Sequence, residues 1–168
     1  AYEKNGDNHD IVRLGIGLYG MWPSEHLAYL NRRIINLKPI IRWVTHIAQV
    51  KILPANYPIG YGLTYITKKK TKIAVIPQGY FDGLSRSLSN KGEFLIRGKR
   101  ARILGRVAMN MTVVDVTNIK DVQALDEVVI LGDCKNKSIK AEEVALLMGT
   151  INYEVTTKIN PFLERIIK

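Results

Sequence analysis

Many short β-type segments, separated by turn residues about every ten positions, constrain the fold of this chain more than any other feature. From Pro39 onward the apolar residues alternate or form short runs that suit strands. Strands are predicted at 41–53, 72–77, 93–97, 101–104, 111–116 and 127–131, the first of them covered on both faces. Reversals are predicted at Asp82-Gly83, Gly98-Lys99 and Gly132-Asp133. The pattern predicts a mainly β domain, a small closed or nearly closed β-barrel.

One or two short helices are expected beside these strands. Residues 25–35 can form a helix that stops before Pro39. Ser138 is expected to cap a second helix that ends at Gly149. Its apolar stripe has helical spacing and consists of Ala141, Val144, Ala145 and Met148. Residues 150–156 are predicted to be extended, and residues 11–20 to be a buried strand that ends in a glycine turn.

Length and composition place the chain among ordinary globular proteins. Its 168 residues are close to the usual size of one domain, and 46% of them are hydrophobic. A single cysteine, Cys134, excludes an intrachain disulfide and fits a reducing compartment. No stretch approaches the roughly 20 apolar residues of a membrane span, and residues 1–8 lack the apolar core of a signal peptide. A cytoplasmic protein without a membrane partner is therefore expected.

The net charge of +10 is concentrated in two basic runs, residues 68–72 and 97–102. Such runs can hold nucleic acid or another acidic partner. Surfaces that bind single strands usually interleave basic and aromatic residues, whereas these runs contain no aromatic residue and fall at predicted turns. No nucleic-acid partner is expected, although a non-catalytic basic β-barrel binding module remains the alternative from a different functional class.

Few residues suggest chemistry by spacing alone. The three histidines are scattered with no carboxylate or cysteine at ligand spacing, so no metal site is predicted. Gly15-Ile16-Gly17 could present backbone N–H groups to a phosphate just before a helix. Glycines flank several tyrosines, which suggests that the backbone approaches something closely there. A tyrosine in a strand is more often a core residue than a site residue, so spacing alone leaves both readings open.

Five motifs taken together are far more specific. They read VRLGIGLYG at 12–20, GYGLTY at 60–65, IPQGYFDG at 76–83, GRVAMNM at 105–111 and TINYEV at 150–155. Their order and content resemble those of bacterial alanine racemases, and the resemblance runs from about residue 10 to the C-terminus.

The resemblance implies a fold and a domain division. Members of this family have an N-terminal (β/α)8 barrel that holds pyridoxal 5'-phosphate, followed by a mostly β domain. Residues 1–36 would be the last strand–helix unit of the barrel, and residues 37–168 the β domain. The family's cofactor lysine lies near the start of the barrel, in a motif that this chain does not contain. The chain would thus be a C-terminal portion that is inactive by itself.

The resemblance also implies a catalytic role for Tyr65. Racemisation removes the Cα proton from one face of the bound amino acid and returns a proton on the other face, so it needs two bases. In this family they are the cofactor lysine and a tyrosine, which Tyr65 matches. A free phenol has a pKa near 10, so a neighbouring cation must favour the phenolate. The expected product is D-alanine for peptidoglycan.

The other site residues follow from the same comparison. Arg13 matches the arginine that faces the pyridine nitrogen of the cofactor. Gly15 and Ile16 match backbone donors to its phosphate, and Tyr153 matches a tyrosine whose hydroxyl binds the same phosphate. Substrate contacts are assigned to Met109, through its backbone N–H, and to Tyr80.

The family's assembly and substrate complete the prediction. A homodimer is implied, in which Tyr65 and Met109 serve the partner's site. Leu14 and Asn110 depart from the residues that other members often carry; at 110 an aspartate is common. Loss of that negative charge leaves the substrate range open, so a racemase for serine or another amino acid is the alternative within this family.

Overall fold

A computed structural model describes residue 11 and residues 13–167 of the chain. The chain divides into two compact units, Ala1–Ile40 and Ile41–Lys168. Strands predominate over helices among the described residues, so the predicted mainly β class is confirmed. No described helix has the length and hydrophobicity of a membrane-spanning segment.

The described part of the first unit contains two helical elements. A 3-10 helix spans Ile16–Tyr19, and helix α1 spans Glu25–Asn31. Ser24 caps α1, because its Oγ accepts a hydrogen bond of 3.2 Å from the backbone N–H of Leu27. The predicted buried strand at 11–20 is wrong for the residues described, since no described strand of this unit is available to pair with it. The predicted glycine turn is confirmed at Gly20, which has a left-handed φ of 72°.

The second unit carries ten strands and two α-helices in its described part. The strands are β1 Trp43–His46, β2 Gln49–Leu53, β3 Pro58–Ile59, β4 Tyr65–Ile66, β5 Thr71–Ile76, β6 Glu93–Ile96, β7 Lys99–Arg102, β8 Thr112–Asp115, β9 Glu127–Cys134 and β10 Lys137–Ile139. Helices α2 Ala141–Met148 and α3 Asn152–Thr157 follow, and short 3-10 helices lie at Tyr80–Asp82 and Arg86–Leu88.

All strand pairs are antiparallel and are divided among three sheets. The largest has the order β1-β9-β6-β7 with β10 added to β9, the second has the order β2-β5-β8, and β3 and β4 form the third. A bridge between Ile103 and Val114 links the two larger sheets. The chain itself links them again where β1 passes into β2 at Ile47-Ala48. Among the described residues, no sheet closes on itself.

The segment predicted as one strand at 41–53 is two strands in different sheets. The chain bends at Ile47, whose side chain is fully buried and whose N–H donates to the carbonyl oxygen of Asp126 at 2.9 Å. The prediction that both faces are covered is also wrong, because Val44 and Ile52 are exposed. Alternating apolar residues continue through the bend, so the pattern alone did not reveal it.

Three further local predictions need correction. Gly132 does not mark a reversal; it lies inside β9, where the strand changes partner from β1 and β6 to β10. Ser138 lies in β10 and does not cap α2, which begins after Lys140. Residues 152–157 form α3 where an extended segment was predicted. The predicted end of α2 is confirmed at Gly149, which has a left-handed φ of 74°.

Helix α2 packs on the five-stranded sheet. Val144 contacts a buried cluster of Leu95, Val129 and Ile139. At the edge of the same contact, Arg100 of β7 donates to Glu93 and to Glu143 of α2, and these carboxylates raise the pKa of the guanidinium. The helix is therefore held to the sheet by apolar packing in the middle of the contact and by the Arg100–Glu143 ion pair at its edge.

The turn between β6 and β7 is anchored by an ion pair. Arg97 and Gly98 both have positive φ, 51° and 78°, which suits a two-residue hairpin one position earlier than predicted. Arg97 donates to both carboxylate oxygens of Asp126, at 2.8 and 2.9 Å, and Gln123 N–H donates to the same carboxylate at 3.0 Å. The Arg97 guanidinium holds the pKa of the Asp126 carboxyl below its ordinary value.

This arrangement predicts a pH-dependent contribution to stability. Because the pKa of Asp126 is lower in the folded chain than in the unfolded one, the stabilisation is complete above the unfolded pKa of about 4 and is lost as pH falls through the folded value. Asp126→Asn should lower the thermal midpoint by a few degrees at pH 7 and by less at pH 3. Glu164→Gln, at an exposed position outside this ion pair, is the control. An equal loss at both pH values would contradict the ionic explanation.

Candidate active site

Tyr65 follows a turn of unusual backbone geometry. It begins β4, where it pairs with Ile59 of β3. Between the two strands, Gly60, Gly62 and Leu63 all have positive φ, at 78°, 72° and 51°. Glycine adopts such values readily, whereas leucine rarely does, so the turn is tightly specified by its surroundings. The sequence motif at 60–65 thus forms a compact turn, and Tyr65 lies at its C-terminal end.

The Tyr65 ring rests on a buried apolar base. Tyr65 is half-buried and packs against the cluster formed by Ile59, Ile73 and Leu104. These three side chains come from β3, from β5 and from the segment after β7, so several elements of the domain fix the ring from below. A half-buried tyrosine with this support is held in place while part of it stays accessible.

A second glycine-containing segment, residues 105–111, lies against this turn. A Cβ placed on Gly60 would come within 3.2 Å of the Gly105 Cα, which shows how closely the two backbones approach. A Cβ placed on Gly62 would lie 3.0 Å from Nη1 of Arg106. The Arg106 guanidinium therefore lies next to Gly62, in the turn that precedes Tyr65.

Met109 and Tyr80 are brought together by backbone pairing. Tyr80 N–H donates to the carbonyl oxygen of Ala108 at 3.0 Å, and Phe81 N–H donates to that of Met109 at 3.0 Å. Gly79 makes this approach possible, because a Cβ there would lie 2.2 Å from the Ala108 oxygen. The N–H of Met109 donates to no described residue. Tyr80 and Met109 are each about half exposed.

Tyr153 lies on the first turn of α3 and is half-buried. Its carbonyl oxygen accepts hydrogen bonds from Thr156 Oγ1 at 2.9 Å and Thr157 Oγ1 at 3.0 Å. No hydrogen bond within the described residues joins it to Tyr65, Tyr80 or Met109. The structure therefore places Tyr153 on a different element from the other tyrosines of the second unit.

Arg13, Gly15 and Ile16 lie in the first unit, where Arg13 is exposed. The N–H groups of Gly15 and Ile16, at the start of the 3-10 helix, donate to no other described residue. A Cβ on Gly15 would meet nothing within 4 Å, so the space next to the Gly15 Cα is open. Two adjacent unpaired N–H groups at a helix start suit a phosphate, as the sequence predicted for pyridoxal 5'-phosphate.

Two other features do not coincide with these residues. An apolar cavity of about 30 Å³ lies between α2 and the five-stranded sheet, and no predicted site residue lines it. Its volume suits about one water molecule and not an amino acid. Within the described part of the chain, no three His, Cys, Asp or Glu side chains are grouped so that they could hold a metal ion.

Comparisons with known proteins agree on one family. The family model "Alanine racemase, C-terminal domain" matches residues 40–167. The alanine racemase of Leptospira interrogans is 43% identical over 162 residues, covering 94% of this chain and 42% of that protein. The enzyme of Halothermothrix orenii is 46% identical over 156 residues, covering 93% and 40%.

Solved structures give the same answer. Bacillus anthracis alanine racemase with bound L-Ala-P superimposes with a TM-score of 0.81 at 35% identity, over 87% of this chain and 36% of that one. Bartonella henselae alanine racemase with covalently bound pyridoxal phosphate gives 0.79 at 29% identity, over 90% and 40%. The chain belongs to the alanine racemase family, which confirms the resemblance found in its motifs. It spans about two fifths of the length of these relatives.

Two residues that contact the site segments were not found by sequence reasoning. Arg106 lies within a recognised motif but was given no role. Asn90 lies in none of the motifs, yet its side chain contacts both the 60–65 and the 105–111 segments. The only local signal for Asn90 is its residue type, since asparagine is enriched at positive φ.

Proposed function

We propose that this chain is the C-terminal part of an alanine racemase that interconverts L- and D-alanine with pyridoxal 5'-phosphate and supplies D-alanine for peptidoglycan. Residues 1–36 would belong to the cofactor-binding barrel and residues 37–168 to the β domain. The observation that carries the proposal is the Tyr65 turn, which supports a half-buried tyrosine on an apolar cluster and lies against the 105–111 segment that contains Met109.

The cofactor would be held mainly by groups outside the Tyr65 turn. Pyridoxal 5'-phosphate, bound through the lysine of the N-terminal part, supplies the electron withdrawal that makes the Cα proton of the amino acid acidic. In this chain Arg13 would face the pyridine nitrogen, and an arginine stays protonated and leaves that nitrogen without a proton. Gly15 and Ile16 N–H and the Tyr153 hydroxyl would bind the phosphate.

Tyr65 would act as one of two bases. Its Oη removes the Cα proton of L-alanine or returns a proton to the same face, while the lysine acts on the opposite face. The N–H of Met109 would bind the substrate carboxylate, and Tyr80 would line the approach to it. A backbone donor on the segment that lies against the Tyr65 turn would fix the substrate without adding a competing acid.

A homodimer would bring these groups to the cofactor, with Tyr65 and Met109 serving the partner's site. Large apolar side chains around the turn support an interface there. Tyr61, Leu63 and Ile66 are 77%, 62% and 57% exposed, which is unusual for three neighbouring apolar residues on a monomer surface.

The proposal is tested by assaying the intact enzyme, meaning this chain joined to the N-terminal part that its relatives have. Racemisation of L-alanine should disappear when pyridoxal 5'-phosphate is removed and return when it is restored. Residues 1–168 alone, with the cofactor added, are the matched control and should be inactive. Faster turnover of serine than of alanine would favour the alternative substrate, in keeping with Asn110. Absence of racemisation of any amino acid by the cofactor-loaded enzyme would refute the proposal.

A further inference from the structure

Asn90 occupies a turn between the 3-10 helix Arg86–Leu88 and β6, with a left-handed φ of 61°. It pairs twice with Gly105. Its side-chain Oδ1 accepts a 2.7 Å hydrogen bond from Gly105 N–H, and its own N–H donates to the Gly105 carbonyl oxygen at 3.2 Å. The preceding Ser89 accepts a 3.0 Å bond from Val107 N–H through its Oγ. Side chains of this turn therefore hold the start of the segment that leads to Met109.

The other end of the Asn90 amide faces the Tyr65 turn. Its Nδ2 reaches the carbonyl oxygen of Thr64 at 3.4 Å and Thr64 Oγ1 at 3.5 Å. These are long contacts, in contrast to the short bond to Gly105. One planar amide thus connects the residue that precedes Tyr65 with the first residue of the 105–111 segment.

We propose that Asn90 is a positioning residue that sets the separation between the Tyr65 phenol and the Met109 backbone. The inference rests on the proposed racemase function, in which Tyr65 removes a proton from an amino acid whose carboxylate Met109 holds. A displacement of about 1 Å between two such groups lowers the rate about 100-fold. Asn90 touches neither substrate nor cofactor in this role and acts only through the two segments.

Asn90→Asp is the sharpest variant. Aspartate has the same shape, accepts the Gly105 hydrogen bond and tolerates a left-handed φ. It replaces the amide donor by a carboxylate oxygen, which cannot donate to the carbonyl oxygen of Thr64. The Tyr65 turn should therefore shift while the Met109 side keeps its anchor.

The test uses the intact enzyme and α-deuterated L- and D-alanine, following loss of the label to solvent in single turnovers. Asn90→Asp should slow label loss from L-alanine, the reaction assigned to Tyr65, about tenfold or more. Label loss from D-alanine and the KM for alanine should stay within about twofold. Asn56→Asp is the matched control, because Asn56 also has positive φ, at 60°, and is exposed; both rates should be unchanged.

A merely structural role would lower both rates by the same factor, and that result, or no change in either, would overturn the inference. If Asn90→Asp does not fold, Asn90→Gly takes its place. Glycine permits positive φ but loses both side-chain contacts of Asn90. This variant should slow label loss from L-alanine more than label loss from D-alanine. Tyr65→Phe distinguishes failure of the role proposed for Asn90 from failure of the role proposed for Tyr65. A one-sided loss in Tyr65→Phe with an even loss in both Asn90 variants rejects only the role of Asn90, whereas an even loss in Tyr65→Phe rejects the role of Tyr65.

Discussion

Replacement of Tyr65 by phenylalanine is expected to slow removal of the Cα proton of L-alanine by about 10²- to 10⁴-fold in the intact enzyme, the usual contribution of a positioned acid/base group. The phenyl ring keeps its contacts with Ile59, Ile73 and Leu104, so the domain should fold as before. Only the phenolic oxygen is lost. Removal of the proton from D-alanine should remain measurable, because it depends on the lysine of the opposite face.

The measurement is label loss from the two α-deuterated enantiomers, with thermal unfolding as a check on folding. Tyr57→Phe is a suitable control, since Tyr57 is also partly exposed and lies in the loop before β3, outside the proposed site. Its two rates should match those of the unsubstituted enzyme. An equal loss for both enantiomers in Tyr65→Phe would show that Tyr65 does not act on one face.

Substitution of Gly79 by alanine is expected to destabilise the fold strongly, although it adds only one methyl group. The new Cβ would lie 2.2 Å from the Ala108 carbonyl oxygen and 2.3 Å from that of Met109. Both obstacles are backbone atoms, so no side chain can rotate away. The 3-10 helix that carries Tyr80 would have to move off the 105–111 segment, at a cost of about 3 kcal/mol or more.

Urea unfolding of the chain measures the change in the free energy of unfolding. Gly149→Ala provides the comparison, because a Cβ there meets nothing within 4 Å and the position has a left-handed φ of 74°. That variant should lose only about 1 kcal/mol, from its backbone conformation. A loss in Gly79→Ala no larger than in Gly149→Ala would mean that the two segments separate without difficulty.

The strands that were predicted well are those whose local pattern matches their burial. Buried and half-buried residues alternate in β8, and β5 is mostly buried. Charged or turn residues mark the ends of both, so β5 at Thr71–Ile76 and β8 at Thr112–Asp115 agree with prediction to within a residue or two at each end. The end of α2 was equally clear, since glycine at the C-terminus of a helix is a local signal.

Predictions failed where distant contacts decide the conformation. Residues 41–53 look continuous, and only the pairing of Ile47 with the 125–126 turn shows why the strand bends there. Residues 150–156 contain β-branched residues typical of strands, yet the segment forms α3, which packs on α2. A short apolar stretch of this kind does not distinguish helix from strand by its pattern.

For the proposed site, too, local sequence signals were informative and distant contacts were not. Tyr65, Tyr80 and Met109 were predicted as site residues because five motifs occur in a recognisable order, and the structure shows Tyr80 and Met109 on paired backbones. Asn90 could not be found in that way. Its partners lie 26 and 15 residues away in the sequence, and an asparagine in a turn has many ordinary explanations.

The hairpin that carries Tyr65 has a consequence for how activity is lost. Strands β3 and β4 contribute two residues each and, within the described part of the chain, form a two-stranded sheet, whereas β9 is eight residues long and pairs with three other strands. Local opening of so short a ladder needs far less free energy than disruption of the main sheets. Under mild denaturing conditions the proposed base would therefore leave its place while the domain remains folded, and enzymatic inactivation would precede loss of secondary structure.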